Sequence, residues 1–274
     1  LVLIPLPAYA QGAPPVDDTA AEGIREAATA DAPGAAAPVK AKTLDQVTVI
    51  GHRENLVGEA VSASEGSISQ ADLASRPSNR TADLLEFIPG MVITQHSGSG
   101  KANQYFLRGF NLDHGTDFAT FVDGMPVNMP THAHGQGYSD LNWLIPELID
   151  RIRYRKGPYY AEEGDFASAG AARIALVDTL PRRIAEVTLG EHRYARTLLA
   201  NSNALAGGQL LYALEAGHNN GPWDNPEKFH RLNGVVRYSF GDAASRSSIT
   251  AMGYSANWNS TDQVPQRAVD SGLI

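Results

Sequence analysis

Four short motifs follow one another between residues 83 and 176, and their order limits what this part of the chain can fold into. They read DLLEFIPGMV from Asp83, FLRGF from Phe106, FVDGMPV from Phe121 and IRYRKGP from Ile152. Each has a glycine, alone or beside a proline, after a helical or β-prone run, and such residues mark turns that end helices and strands. The order predicts one mixed α/β domain of short elements in residues 60–178.

Helix and strand signals place the elements of this domain. Ser69 is the expected cap of a first helix, and Pro89 ends a second helix in which Ala82, Leu85 and Ile88 share one face. The other expected elements are a short helix at 144–149 and strands at 91–94, 104–108, 118–122 and 151–155.

Beyond residue 183 the sequence alternates apolar and polar residues in longer runs. In the third run, Leu210, Tyr212 and Leu214 share one face, opposite Gln209 and Glu215. The fourth run carries Arg and Asn opposite its apolar face, which is typical of a barrel with a polar interior and a lipid-facing surface. A soluble antiparallel sandwich also alternates and is the alternative. Strands are expected near 183–190, 194–202, 209–217, 230–240 and 247–258.

The first residues predict an exported protein. Residues 1–10 are mostly apolar and end in Ala8-Tyr9-Ala10, the A-x-A pattern of a signal-peptidase site. We interpret them as the remnant of a signal peptide clipped at its front. Residues 11–43 are rich in Ala and Pro and lack the apolar pattern of a core, so a flexible linker is expected there.

Composition excludes several kinds of site. The chain has no cysteine, so it has neither a disulfide framework nor a thiolate metal site. Its formal net charge is −8 and no Lys/Arg block stands out, which argues against a nucleic-acid partner. No run approaches the ~18 apolar residues that a membrane helix needs, whereas barrel strands need only ~9–11 residues.

The order of the four motifs resembles the plug domain of TonB-dependent outer-membrane receptors. The resemblance implies an α+β plug domain over 60–178, followed from residue 183 by the first strands of an antiparallel transmembrane β-barrel. Barrels of this family close with about 22 strands. Only about five strands fit in 183–274, and an open sheet edge cannot lie in hydrocarbon. We therefore expect a fragment that is cut at both ends.

The resemblance also implies roles for particular residues. Residues 44–51 resemble the TonB box, an extended segment suited to strand addition on a periplasmic partner. The matching residues are Asp45, Gln46, Val47, Thr48 and Val49. Scaffold positions, not substrate ligands, are implied at Arg108-Gly109, Asp123-Gly124 and Gly157-Pro158. For Arg108, a buried guanidinium with carboxylate partners is implied.

Two departures from the family pattern indicate a divergent subgroup. Arg153 stands where the family usually has Glu, and Gly170-Ala171 and Arg173 stand where it usually has Gly-Gly and Asn. The stretch 159–165 is also unusually acidic for the family. These differences weaken an assignment of substrate by analogy.

For function, the resemblance implies energised uptake of a scarce nutrient across the cell outer membrane. Outer-membrane lipid and TonB of the inner membrane are the implied partners, together with a metal chelate or another small nutrient. An iron–siderophore complex is the expected substrate, because it is the commonest in the family. The alternative is a copper or zinc ion or another nutrient such as cobalamin, and a non-transporting receptor is the third reading. No cofactor is expected.

His132 and His134 lie two residues apart in a segment that also carries two methionines. In an extended segment both rings can face one ligand, and imidazole suits copper and zinc. His132 and His134 are therefore the predicted metal ligands, and with Asp113 and His114 they form the predicted substrate-binding set. The alternative is a loop whose histidines bind backbone or water.

The sequence does not match the spacing of three common enzyme motifs. Gly135-Gln136-Gly137 follows His134, so the His-x-His-x-Asp-His pattern of metallo-hydrolases is not met. A phosphate loop needs G-x-x-x-x-G-K-[ST], but Lys101 precedes Ala102, and the sequence has no G-x-S-x-G elbow. The protein is not expected to be an enzyme, and no catalytic residue is predicted.

Overall fold

The computed structural model describes residues 59–60, 64–75, 80–95, 98–242, 244–261 and 264–274. The expected signal remnant (1–10), linker (11–43) and TonB box (44–51) lie outside the described residues, so they stay predictions.

Short strands and helical turns make up residues 59–178, called the mixed domain below. Its strands are β1 (Glu59–Ala60), β2 (Glu65–Ser69), β3 (Met91–Thr94), β4 (Gln104–Leu107), β5 (Phe110–Asn111), β6 (Phe118–Val122), β7 (Met125–Pro126), β8 (Ile149–Lys156) and β9 (Gly170–Leu176). Its helices are α1 (Gln70–Ala74) and the 3-10 helices Thr81–Phe87, Pro146–Leu148 and Ala161–Glu163.

Two sheets organise the mixed domain around one core. The larger has the order β1-β2-β8-β9-β6-β7, in which β6 and β9 pair in parallel and the other pairs are antiparallel. Strands β3, β4 and β5 form a smaller antiparallel sheet. Ile68, Leu85, Tyr105, Phe118 and Ile152 come from both sheets and from a helical turn, and all are buried in the same core.

The capped start of α1 is confirmed. Ser69 Oγ accepts a hydrogen bond from the Asp72 N–H at 3.2 Å, and Asp72 Oδ2 accepts one from the Ser69 N–H at 2.8 Å. This reciprocal pair is a capping box, which satisfies backbone donors that have no partner within the helix.

The two later helices lie where they were predicted, but each is shorter than predicted. Both are 3-10 helices, which are wound more tightly than α-helices. In Thr81–Phe87, the side chains of Leu84, Leu85 and Phe87 are all buried. Leu85 and Ile88, three residues apart as the predicted apolar face requires, are both buried, and the burial of Leu84 and Phe87 makes the apolar surface wider than predicted. The helix expected at 144–149 is the single turn Pro146–Leu148, because Ile149 already belongs to β8.

The five strands expected beyond residue 183 are confirmed and form one antiparallel sheet, called the wall sheet below. They are β10 (Ile184–Leu189), β11 (Ala195–Leu205), β12 (Gly208–Asn219), β13 (Phe229–Gly241) and β14 (Arg246–Asn257), paired in chain order. A short helix α2 (Gln266–Asp270), not predicted from the sequence, follows. Among the described residues no helix has the length and apolar character that crossing a membrane would require.

The wall sheet has two different faces, as the alternation predicts. Leu198, Leu211 and Val235 on its inner face are buried in the same core cluster as the mixed domain. The outer face is apolar and exposed, with Leu214 at 51% and Leu232 at 53% exposure. The mixed domain thus covers one face of the wall sheet, and apolar side chains remain uncovered on the other.

Charged side chains on the inner face pair with the mixed domain. Arg196 on β11 donates to both carboxylate oxygens of Glu147, at 2.7 and 2.9 Å, and to Glu215 on β12 at 2.5 Å. Arg231 on β13 donates to the same Glu215 at 2.7 Å. Glu215 is fully buried, so removing its guanidinium partners would leave an unpaired charge in the interior.

A second cluster ties the turn after β6 to β13. Arg237 donates to Asp123 and, at 2.8 Å, to Asp178. Asp123 also accepts the Leu176 N–H at 3.0 Å, so one carboxylate holds β9, its own turn and the wall sheet together.

In the mixed domain, Gly170 at the start of β9 is the position where an added side chain should reduce stability most. A Cβ there would lie 2.4 Å from the Arg155 carbonyl oxygen, a backbone atom that cannot swing away. We expect Gly170→Ala to destabilise the domain by about 1–3 kcal/mol, as overpacking does. Thermal unfolding of the purified protein would measure this.

Gly253→Ala is the matched control for that change, because Gly253 lies in a strand with no atom within 4 Å of its added Cβ. Equal thermal stability of the two variants would contradict the packing described around Gly170.

Candidate functional site

A closed loop over residues 129–138 carries the predicted histidines. The Met129 N–H donates to the Tyr138 carbonyl at 2.9 Å, and the Gly137 N–H donates back to the Met129 carbonyl at 2.8 Å. His132 and His134 lie within this loop and are exposed. These two hydrogen bonds thus close the loop at its ends, and the histidines in its middle are exposed to solvent.

Asn128 holds this loop against the neighbouring turn. Its Oδ1 accepts the Thr120 N–H at 2.7 Å, and its Nδ2 lies at 2.9, 3.0 and 3.0 Å from the carbonyl oxygens of Gly115, Phe118 and Gly137. The side chain is buried. Sequence reasoning missed Asn128, and only its place just before the histidine loop could have drawn notice.

Asp113 and His114 lie in a turn that is fixed by backbone contacts. Asp113 has a φ of +48°, a left-handed conformation that Asp tolerates better than most residues. Its N–H donates to Asn111 Oδ1 at 2.8 Å, and its carbonyl accepts the Tyr105 N–H at 2.8 Å. The Ser139 N–H donates to the His114 carbonyl at 2.8 Å, which joins this turn to the end of the histidine loop.

The two segments bring three ligand-type side chains together. One ligand atom each from Asp113, His114 and His134 lies within 4.8 Å of the others. His114 Nε2 is 3.7 Å from Asp113 Oδ1, and the His114 and His134 ring centroids are 4.4 Å apart. His114 is buried and His134 is exposed, so the cluster reaches from the domain interior to the surface.

A backbone carbonyl selects the tautomer of His114. Its Nδ1 lies 3.1 Å from the Asn103 carbonyl oxygen, which can only accept a hydrogen bond. The proton of the neutral ring therefore belongs on Nδ1, and Nε2 presents a lone pair towards Asp113 and His134. Metal-binding histidines are commonly oriented by such a bond from the other ring nitrogen.

His132 contacts His134 but is not one of the three clustered ligands. Its Nδ1 accepts the His134 N–H at 3.1 Å, and its ring stacks on Tyr138 with centroids 4.0 Å apart. Of the predicted set, the structure therefore groups His134 with Asp113 and His114, and it places His132 against an aromatic ring. The assignment of His132 as a metal ligand stays a prediction.

Burial sets the protonation of the polar groups beneath the loop. It raises the pKa of Tyr138, which remains a neutral phenol whose oxygen accepts the Ala102 N–H at 2.9 Å. Burial also raises the pKa of Asp140, an effect that hydrogen bonds from Asn142 and the nearby His132 oppose.

The predicted scaffold motifs are turns. Arg108-Gly109 joins β4 to β5, and Asp123-Gly124 joins β6 to β7, with positive φ at all four residues. Gly157-Pro158 follows β8. The expectation of a buried guanidinium at Arg108 is wrong, because this side chain stands at an exposed hairpin tip.

The buried carboxylate partner expected for an arginine occurs instead at Glu163. Glu163 is 4% exposed, and its oxygens accept from Arg155 at 3.0 Å and Arg173 at 2.6 Å. Arg173 and the acidic stretch 159–165 were noted as departures from the family pattern. The structure accounts for both, because they are the two sides of one ion-pair network.

Comparison with known proteins identifies the region. Residues 58–171 match the family model of the TonB-dependent receptor plug domain. The chain is similar in fold to the copper transporter OprC, with a TM-score of 0.57 and 19% identity over 76% of this chain and 33% of that chain.

Two further solved structures are also similar. For the siderophore receptor PirA from Acinetobacter baumannii the TM-score is 0.53 at 17% identity, over 73% of this chain and 32% of that one. For the ferric yersiniabactin uptake receptor FyuA from Yersinia pestis it is 0.54 at 16% identity, over 70% and 31%. The chain spans about a third of the length of these solved chains, and at such identities the likeness concerns the fold alone.

Asn128→Ala should loosen the histidine loop. The change removes partners from three carbonyls and one N–H in a buried setting, so we expect a loss of about 1–3 kcal/mol in stability. The Thr120 amide should also exchange its hydrogen faster, since it donates to Asn128. Hydrogen exchange measured by mass spectrometry would detect this.

Thr131→Ala, at an exposed position of the same loop, should leave exchange at Thr120 unchanged. Unaltered exchange in Asn128→Ala would show that Asn128 does not hold the loop.

Proposed function

Because residues 58–171 are a TonB-dependent receptor plug domain, we propose that the protein acts as a TonB-dependent outer-membrane receptor. Its activity is the energised uptake of a scarce nutrient. The receptor binds its substrate at the outer surface and passes it inwards when TonB displaces the plug. The substrate undergoes no covalent change.

The observation that carries this proposal is the arrangement of the mixed domain against the wall sheet. The covered face of that sheet holds polar and charged residues such as Glu215, Asn233 and Arg237. The uncovered face holds Leu199, Leu214, Leu232 and Val236, each about half exposed or more, with 50% the lowest value. A polar interior filled by a plug and an apolar outer belt are what a barrel in lipid requires.

Two substrate classes are proposed. An iron–siderophore complex is the first, and it is supported by the names of PirA and FyuA, a siderophore receptor and a ferric yersiniabactin uptake receptor. A copper or zinc ion is the second, and it is supported by the name of OprC and by the cluster of Asp113, His114 and His134. The geometry favours the second class, because those three side chains already converge.

Coupling to TonB is proposed to run through Asp45–Val49. An extended segment can add as a strand to a partner's sheet edge, so its backbone hydrogen bonds can bear a pull. Movement of the mixed domain would have to break the pairs that Glu147 and Asp123 make with the wall sheet. Water entering the gap can replace these ion pairs, while the apolar contacts of Leu198, Leu211 and Val235 with the same core would also have to separate.

Deletion of Asp45–Val49 from the full-length receptor should abolish uptake and leave substrate binding intact. Binding needs only the outer surface, whereas transport needs the partner's pull. Cellular accumulation and surface binding of labelled substrate measure the two separately. Deletion of five residues within the 11–43 segment is the control, and uptake that survives loss of 45–49 would contradict the assignment of the box.

A titration panel separates the two substrate classes. Full-length receptor in detergent is titrated with ferric chelates, Cu²⁺, Zn²⁺ and cobalamin by calorimetry. Tight binding of bare Cu²⁺ or Zn²⁺ is the expected result. Tight binding of a ferric chelate with none of the bare ions would assign the receptor to the siderophore class.

A further inference from the structure

We propose that Asp113, His114 and His134 form a binding site for a borderline divalent cation, with Zn²⁺ as the probe ion and one coordination position open. This inference rests on the proposed function, since it names the substrate class that the receptor's outer surface would capture. It also replaces the expected pair of His132 and His134 by a different set of ligands.

The spacing of the ligand atoms is close to what such an ion needs. A tetrahedral zinc site with bonds of ~2.0–2.1 Å places its ligand atoms about 3.4 Å apart. His114 Nε2 and Asp113 Oδ1 are already 3.7 Å apart. The ligand atoms of the three side chains lie within 4.8 Å of one another, so the remaining approach has to come from His134, whose side chain is exposed on the loop.

The buried half of the site is organised before any ion arrives. The Asn103 carbonyl fixes the ring and tautomer of His114, so that Nε2 carries the lone pair. The backbone of Asp113 is held on both sides, by Asn111 and Tyr105. An ion therefore meets two oriented ligands and has to order only one exposed side chain, which lowers the entropic cost of binding.

The histidine loop is shaped to let His134 reach this position. Gly135 follows His134, and a Cβ on it would lie 3.2 Å from Asp113 Oδ2. A side chain at 135 would therefore press on the carboxylate, whereas glycine lets the loop close over it. Asn128 and the Ser139–His114 hydrogen bond join the loop to the Asp113 turn.

The donor set decides the class of ion. Two imidazole nitrogens and one carboxylate oxygen suit Zn²⁺ and Cu²⁺, whereas Mg²⁺ and Ca²⁺ prefer sites made of oxygen alone. None of the three ligands is a sulfur donor, the type of ligand that favours Cu⁺. Three protein ligands leave the fourth position for water or for a donor atom of a chelator.

The structure offers a matched pair of variants in one loop. His134 belongs to the cluster, while His132, two residues earlier and also exposed, stacks on Tyr138. The test is calorimetric titration of full-length receptor in detergent with ZnCl₂, for the wild type, His134→Ala, His132→Ala and Asp113→Asn. Asn keeps the size and the left-handed backbone of Asp113 and removes only its charge.

We expect His134→Ala and Asp113→Asn each to weaken Zn²⁺ binding at least tenfold, and His132→Ala to stay within threefold of the wild type. Thermal unfolding of all four proteins without metal should be alike, because the altered side chains contribute little burial. Equal losses in His132→Ala and His134→Ala would overturn the ligand set. An absence of Zn²⁺ binding in the wild type would overturn the site itself.

Failure of this site and failure of the proposed function can be told apart. Equilibrium binding of Zn²⁺ requires no energy-transducing partner, whereas uptake does. A receptor that takes up a ferric chelate through residues 45–49 but does not bind Zn²⁺ would keep its function and lose this site.

Discussion

Arg196 and Arg237 on the inner face of the wall sheet find their counter-ions on the mixed domain, and the rest of the structure depends on that pairing. Their side chains are only 12% and 8% exposed, yet both sit on strands whose outer faces are apolar. An isolated buried charge costs several kcal/mol, so these strands are stable only with a polar partner in place. Glu147 and Asp123 supply it, at two separate heights on the sheet.

The same pairing orients the candidate site. Asp123 meets Arg237 near the end of β13, where the chain makes its tight turn into β14. At the other end, Ser99 of the mixed domain binds the buried Glu227 in the longer connection between β12 and β13. Asn103, whose carbonyl orients His114, lines a cavity of about 230 Å³ at this second end with His218 and Asn219. The Asp113–His114–His134 cluster therefore belongs to the end of the sheet with the long connections.

The sequence predicts strands well where an alternating pattern repeats over many residues. It does not predict helix type or side-chain placement where a single long-range contact determines them. The five wall strands follow from alternation over many residues, so their positions were predicted closely. The helical turns at 81–87 and 146–148 are short and are shaped by burial, which local propensity does not encode.

The burial of Arg108 was predicted wrongly, because a sequence motif does not say whether a side chain lies in the interior or at a hairpin tip. His132 and His134 look equivalent in the sequence, and only the chain's path around Asn128 separates them. Asp113 and His114 were in the predicted set, but their closeness to His134 is a long-range contact.

The wall sheet has an inner face covered by the mixed domain and an apolar outer face, and the proposed function requires this outer face to meet lipid. Nitroxide labels placed singly along β13 of the full-length receptor in liposomes test it directly, and the 274 residues contain no cysteine that would compete for the label. Labels at 232 and 236 should collide freely with oxygen, which concentrates in lipid, while labels at 233 and 235 should be shielded from both oxygen and a water-soluble nickel chelate. Labels at 232 and 236 that meet the nickel chelate instead, or no alternation along the strand, would contradict the account.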